Sequence, residues 1–322
     1  MKKLSLIAAA LLLLPAAARA ESTIGMTSFG GITNLPFWVA QDKGYFKGQG
    51  LTVLFAQTRS STDQMRDMMA DKYQIASTSL DNVIAYTEGQ SDVPIPGYDV
   101  VAFLGGNAGQ NQVVTRPEIK TYQDIKSHAV VVDAKGSGYA FVLYQLLENN
   151  GLTRDKDYSI VAVGGGPARY QAMQDGKGVA AILGAPNDIE AERLGYHLLG
   201  DAAGALGASQ GAYAARRGWL KGHEAEAVGF ARAMKQAHAF VFANKADSIA
   251  LLRAHMKALT PEQAEGFYKT MVEKGALNRT PEVKREGLIN MLKLREKYAE
   301  PKKRLDNPDK YLDVSYYKKA AQ

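Results

Sequence analysis

With 322 residues, 46% of them apolar and 22% charged, the chain is long enough to bury a sizeable core as one large or two medium domains, and its composition excludes a disordered protein. The formal net charge is +6, but Lys2, Lys3 and Arg19 belong to a leader-like start; without them 36 basic residues face 33 acidic ones, so charge calls for no nucleic-acid partner. The absence of cysteine excludes disulfides, thiolate metal sites, a cysteine nucleophile and a lipid anchor on a leader cysteine.

Residues 1–20 read as an export signal: Lys2 and Lys3, an apolar run over 4–18, then Ala18-Arg19-Ala20 as a cleavage site before Glu21. The run is too short, and too soon followed by polar sequence, for a membrane span, and no later segment approaches about 18 apolar residues. A freely diffusing exported protein without a lipid anchor is useful in an enclosed space, which places it in a periplasm.

The mature sequence starts with a strand pattern over 23–27 and a polar turn, Ser28-Phe29-Gly30-Gly31. A helix follows from Asn34, with Pro36 in its first turn and Gly44 at its end. Residues 51–55 alternate as a second strand, 59–62 cap a helix over 63–70, and 74–76 form a short strand that ends in Ser77-Thr78-Ser79-Leu80-Asp81-Asn82. In open parallel sheets ligands bind outside the carboxyl ends of the strands, so these polar loops are the place to look. Strand patterns recur at 100–104 and 112–115, and Thr121 with Asp124 predicts a capping box.

The stretch over 130–147, VVVDAKGSGYAFVLYQLL, reads as strand, glycine-rich loop and helix. Ser137 is placed to cap that helix, and its start exposes unpaired N–H groups that suit an anion. The same turn also serves as a plain connection, and neither nucleotide fingerprint, G-x-x-x-x-G-K-[ST] or spaced G-x-G-x-x-G, is present here. Further strands are predicted at 160–163, 179–183 and 197–199, with helices over 168–174 and 189–194 and intervening turns at 164–167 and 184–188. After a strand over 210–215 the chain turns helical from Glu224, with Thr260-Pro261-Glu262-Gln263 and Thr280-Pro281 as helix starts. The late basic residues, Lys302 to Lys319, are expected on a solvated, partly frayed tail.

Residues 34–51, NLPFWVAQDKGYFKGQGL, closely resemble substrate-binding proteins of ABC importers, in the branch for nitrate, sulfonates, taurine and thiamine-pyrimidine precursors. Ala40, Gly44, Tyr45, Phe46, Gly50 and Leu51 match that branch's A-x-x-x-G-Y/F-F-x-x-x-G-L run, and the resemblance continues through 133–151, 165–176 and 181–186. It implies an α/β, type II periplasmic-binding-protein fold: two lobes, each a mixed, mostly parallel sheet flanked by helices, joined by two hinge strands and closing on one small molecule. The implied lobes are 21–112 and 113–206, with a return to the first lobe over 207–322 and crossings near 113–115 and 207–212.

Carried over by position, the resemblance implies ligand contacts at Asn34, Phe37 and Trp38, and at Ser77, Thr78, Ser79 and Asp81. On the second lobe it implies Gly136, Ser137, Gly138 and Tyr139, with Pro186 and Asp188. Trp38 and Tyr139 suit either stacking on a flat ligand or packing within a lobe. Arg169 suits an anionic ligand group, but its place inside a helix predicts a solvated side chain. Asp81 and Asp188 suit an amine or a ring N–H, so the ligand's charge stays open. The implied role is capture of a small organic molecule, anionic or aromatic and heterocyclic, by a monomer that delivers it to an inner-membrane ABC permease, with no cofactor, metal or nucleic acid. Delivery to a membrane sensor fits the same sequence.

The alternative is a periplasmic enzyme of the same fold. Gly207-Ala208-Ser209-Gln210-Gly211 matches G-x-S-x-G, but a nucleophile elbow needs a strand before the serine and a helix after it, whereas here a small-residue loop precedes and a strand pattern follows. His128, His197, His223, His238 and His255 show neither H-E-x-x-H nor H-x-H spacing.

Overall fold

In the computed structural model, which describes residues 21–108, 111–201 and 211–322, the chain builds two five-stranded sheets. The first is entered through β1 (Ser22–Ser28), α1 (Leu35–Asp42), α2 (Tyr45–Gly48) and β2 (Leu51–Gln57), then α3 (Ser61–Met69), β3 (Ile75–Ser79), α4 (Leu80–Glu88) and β4 (Val100–Gly105). The second comprises β5 (Asn111–Thr115), β6 (Ala129–Val132), α5 (Gly138–Asn149), β7 (Ser159–Ala162), α6 (Gly166–Gln174), β8 (Ala180–Gly184), α7 (Asn187–Arg193) and β9 (His197–Asp201). The chain then returns through β10 (Gly211–Arg216) to α8 (Arg217–Gly222), α9 (Glu224–Ala243), α10 (Lys245–His255) and α11 (Pro261–Tyr268). A π-helical turn over Lys269–Glu273 precedes α12 (Arg285–Tyr298) and α13 (Ser315–Lys319). The export signal, Ser209 and positions 207–210 of the second expected crossing lie outside the described residues.

Strand order is β2-β1-β3-β10-β4 in one sheet and β7-β6-β8-β5-β9 in the other. In each, four strands run one way and the strand that arrives from the other sheet, β10 or β5, runs against its two neighbours. The first crossing therefore falls before β5 and not within 113–115. Val113 and Val114 are both fully buried on opposite faces of the second sheet, which holds that segment in register with β8.

Local chemistry explains the element ends. Ser60 caps α3 by accepting from the Asp63 N–H, and both capping boxes form, Thr121 with Asp124 and Thr260 with Gln263. The expected helix start at Thr280-Pro281 does not form, and α12 begins at Arg285 instead. Residues 281–284 lie outside helix and strand, and the Pro281 carbonyl accepts from the Gly105 N–H at the end of β4. A Cβ on Gly105 would lie 2.3 Å from the Glu282 carbonyl oxygen, so this close approach requires glycine.

The late basic stretch is not a frayed tail. Its backbone returns to β4, where the Asp313 N–H donates to the Ala102 carbonyl, and Leu305, Tyr311 and Tyr316 are buried. Buried Glu88 on α4 accepts from Lys303, Lys310 and the Tyr311 hydroxyl. Burial alone would raise its pKa, but the hydrogen bonds from Lys310 and Tyr311 prevail and hold it below the usual carboxylate value.

Strand alternation sorts the apolar side chains into three clusters. Val100 and Ala102 of β4, with Val130 and Val132 of β6, share one cluster that runs through both sheets by way of α4, α5 and α12. Val101 and Phe103 belong to a second cluster under α1 and α9, and Val131 to a third under α6 and α7. Among the described residues, no helix is long and apolar enough to cross a membrane.

Candidate functional site

The segment that follows β3 in the first sheet meets the one that follows β6 in the second, and named contacts cross between them. The Gly138 N–H donates to Asp81 Oδ2 at 2.8 Å, and Arg295 Nη2 donates to the Gly136 carbonyl at 3.2 Å. On the α7 side, Ala185 and Ile189 pack against the first sheet's apolar cluster.

On the first sheet, Asn34 shapes the turn after β1. Its Oδ1 accepts from Ser28 Oγ at 2.7 Å and its Nδ2 donates to the Phe29 carbonyl at 2.7 Å. Phe37 is 0% exposed, packed 5.5 Å from the Phe46 ring and 5.3 Å from Phe55, so it offers no surface to a ligand. Trp38 stacks on the His255 imidazole of α10, with centroids 4.9 Å apart and planes 5° apart, and is committed to that contact. For these two aromatics the structure favours packing, because α1 presents its apolar face to α9 and α10.

After β3 the hydroxyls serve local roles. Thr78 Oγ1 accepts from Asn82, and Ser79 caps α4 by accepting from the Asp81 N–H at 3.2 Å. Ser77 is half-buried, its carbonyl held by Gln64 Nε2. Asp81 itself is 4% exposed and Arg295, from α12, 1%. Arg295 Nε donates to Asp81 Oδ1 at 2.6 Å and Nη2 to Oδ2 at 3.2 Å, a two-pronged buried ion pair. The anion at the start of α5 is thus supplied by the protein: Gly138 donates to Asp81, and Ser137 Oγ caps the Ala140 N–H. A Cβ on Gly138 would fall 2.6 Å from Asp81 Cγ, so only glycine fits.

The second sheet carries the groups with capacity left over. Arg169 is 6% exposed, not solvated as its helical position predicts. Its Nε donates to the Ile182 carbonyl at 3.0 Å and Nη1 to that of Gly164 at 3.4 Å, and its guanidinium lies over the Tyr139 ring at 5.7 Å. Asp133 sits 3.7 Å from Arg169 Nη1 and accepts from Ser137 Oγ. Together Asp133, Tyr139, Leu143 and Arg169 line a narrow crevice over β6 and β8 that is closed to a water-sized molecule. Burial pushes the Tyr139 hydroxyl up, with Arg169 and the Asn111 hydrogen bond acting against it.

Pro186, preceded by a cis peptide bond, leads into α7, where Asp188 is 7% exposed. The Asp188 carboxylate accepts from the Ile189 N–H at 2.9 Å, and the charge of Lys274 acts on it. Burial pushes its pKa up to about 6, opposed by the Ile189 hydrogen bond.

Arg295 is the contributor that motif reasoning missed. Its signal was a cation at core spacing in a helix, three and four residues after buried Leu292 and Met291. Among the described residues, no group of three or more His, Asp or Glu could hold a metal ion. A separate cavity of about 650 Å³, lined in part by Asp71, Arg216, Trp219 and Glu226, lies at the opposite end of the first sheet.

Two sheets with reversed entering strands and facing carboxyl ends define the periplasmic-binding-protein fold. Residues 32–248, more than half of the chain, match the family described as NMT1/THI5 like, and the chain belongs to that family. Solved structures agree on the fold. A protein from Bordetella bronchiseptica RB50 superposes with a TM-score of 0.73 at 20% identity, covering 94% of this chain and 98% of that one. The periplasmic nitrate-binding protein NrtA from Synechocystis PCC 6803 gives 0.75 at 13% identity, with 93% and 88% covered. The alkanesulfonate-binding protein SsuA from Xanthomonas axonopodis pv. citri, bound to MOPS, gives 0.70 at 13%, with 87% and 93% covered. No curated protein sequence matches the chain.

Proposed function

We propose that this protein is the solute-binding component of an ABC import system, which captures a small organic molecule between its two lobes in the periplasm and delivers it to an inner-membrane permease. Export through the leader-like residues 1–20 completes the reading. The observation that carries it is the facing of strand carboxyl ends across a cleft whose second lobe holds Arg169, Tyr139 and Asp188. Similarity to sulfonate- and nitrate-binding proteins supports the same class, and supports binding without turnover.

Arg169 is the group to meet an acidic ligand function, because Nη2 donates no hydrogen bond to any described residue. Tyr139, under the guanidinium, is placed to cover an aromatic or heterocyclic part. The hydroxyls of Ser77 and Thr78, at the carboxyl end of β3, are proposed as first-lobe partners, and Asp188 as the partner of any N–H the ligand carries. Ligand would shift an open–closed equilibrium through contacts made only in the closed form.

The test is a thermal-shift screen of the protein lacking 1–20 against alkanesulfonates, nitrate, aromatic carboxylates and amino-heterocycles, followed by calorimetry. A ligand at one hundred times its Kd should add about 2.7 kcal/mol of stability, with one molecule bound per chain and no product formed. Arg169→Met should cost an acidic ligand at least tenfold in affinity. Silence across all classes, or turnover of any compound, would sink the proposal.

A further inference from the structure

The two lobes are joined unequally on their two faces. On one face, α12 contributes Leu288, Met291 and Leu292, α4 contributes Val83 and Ile84, and α5 contributes Phe141 to a single apolar cluster shared by both sheets. The rings of Phe141 and Tyr298 stack at 5.9 Å within that seam. On the other face the clusters of the two sheets are separate, and the second lobe reaches the first through half-buried Ala185 and Ile189. Separating the lobes along the first face would open a core; separating them along the second would uncover, among the described apolar residues, the side chains of Ala185 and Ile189.

The buried ion pair and its hydrogen bonds fall on the same joined face. Arg295 grips Asp81 of the first lobe with two prongs, donates to Gly136 of the second, and lies 5.2 Å over the Phe141 ring. Asp81 in turn accepts from Gly138 of the second lobe. Parting the lobes here would break the Arg295–Gly136 and Gly138–Asp81 hydrogen bonds and leave the first N–H of α5 without its carboxylate.

We propose that the α5 edge of the second lobe is a fixed pivot pinned by Arg295, and that opening is confined to the α7 side. The cleft swings like a cover hinged along α12, so Ala185 and Ile189 travel while Gly138 stays on Asp81. This rests on the two-lobed trap reading only in requiring that the lobes move.

Because the chain has no cysteine, engineered pairs report uniquely. Spin labels at exposed positions, Asn149→Cys with Lys293→Cys across the pivot and Glu192→Cys with Lys269→Cys across the mouth, give two distance distributions in the unliganded protein. A narrow pivot distribution beside a mouth distribution that is severalfold broader, or two-peaked, is expected. Combining Asp81→Leu with Arg295→Met, in a protein that retains its cooperative unfolding transition, should broaden the pivot pair severalfold. Arg295→Lys, which keeps the charge but not the two-pronged geometry, should broaden it in the same direction. Breadth at both pairs in the parent protein overturns the pivot alone, and narrowness at both overturns the trap as well. An unchanged pivot distribution in the variants overturns the role of Arg295.

Discussion

Asp81 carries the largest single-residue consequence, because it is a buried charge with one cationic partner and one backbone donor. Asp81→Asn leaves Arg295 uncompensated and should cost about 3–5 kcal/mol of unfolding free energy, whereas replacing both partners by apolar residues should cost far less. Denaturant titration of the single and double variants checks the difference. Gly138→Ala, which drives a methyl into Asp81, should cost about 1–3 kcal/mol in the same assay. Two further residues set opposing pH dependences. Burial pushes buried His238 down to about 4 from 6.5, against the hydrogen bond to the Asn278 carbonyl, so the unfolded chain takes the proton first. Its contribution is full above pH 6.5 and is lost as pH falls towards 4, about 3 kcal/mol in all. Asp188 runs the other way: with its pKa raised from 3.8 to about 6, the folded state takes the proton first and gains stability as pH falls through that window. Asp188→Asn should therefore steepen the loss of stability between pH 6.5 and 4, and His238→Gln should flatten it. Unfolding curves at pH 7.5 and 5 read both.

The start of α5 shows how an element's chemistry was half visible in advance. The strand, the glycine turn and the Ser137 cap followed from residue type and spacing alone, and Ser137→Ala should cost about 1 kcal/mol by thermal unfolding. The anion that this helix start invites was also foreseeable, but its source was not. It is Asp81, 57 residues earlier, and no local pattern connects the two. Arg169 is a similar case, since a single arginine among polar helix neighbours gives no sign that β8 and the Gly164 turn will enclose it. Phe37 and Trp38 were read from a family-like position, yet α1 turns both into contacts with neighbouring helices and rings. The C-terminal tail differs from its expected frayed state for a physical reason as well. Its lysines read as solvated until Glu88, far away in sequence, is buried beneath them. Tyr311→Phe, which removes one donor to Glu88, should cost about 1–2 kcal/mol by denaturant titration.

At the scale of the whole molecule, the pattern of strands and helices, the polar loops at strand ends and the family run around Ala40 to Leu51 were enough to expect two β/α units closing on a small molecule. Periodicity and capping are local, so elements and their order follow from the sequence by itself. What the tertiary structure decided is which faces join. Val130 and Val132 look to one side of β6 and Val131 to the other, but only the assembled sheets show that the first side merges with α4 and α12 while the second remains apart. The same assembly decided the partner of each polar group, giving Asp81 to Arg295 and the Arg169 guanidinium to the carbonyls of Ile182 and Gly164. Burial and charge pairing depend on residues more than a hundred positions apart, and those distances are set only when the core closes.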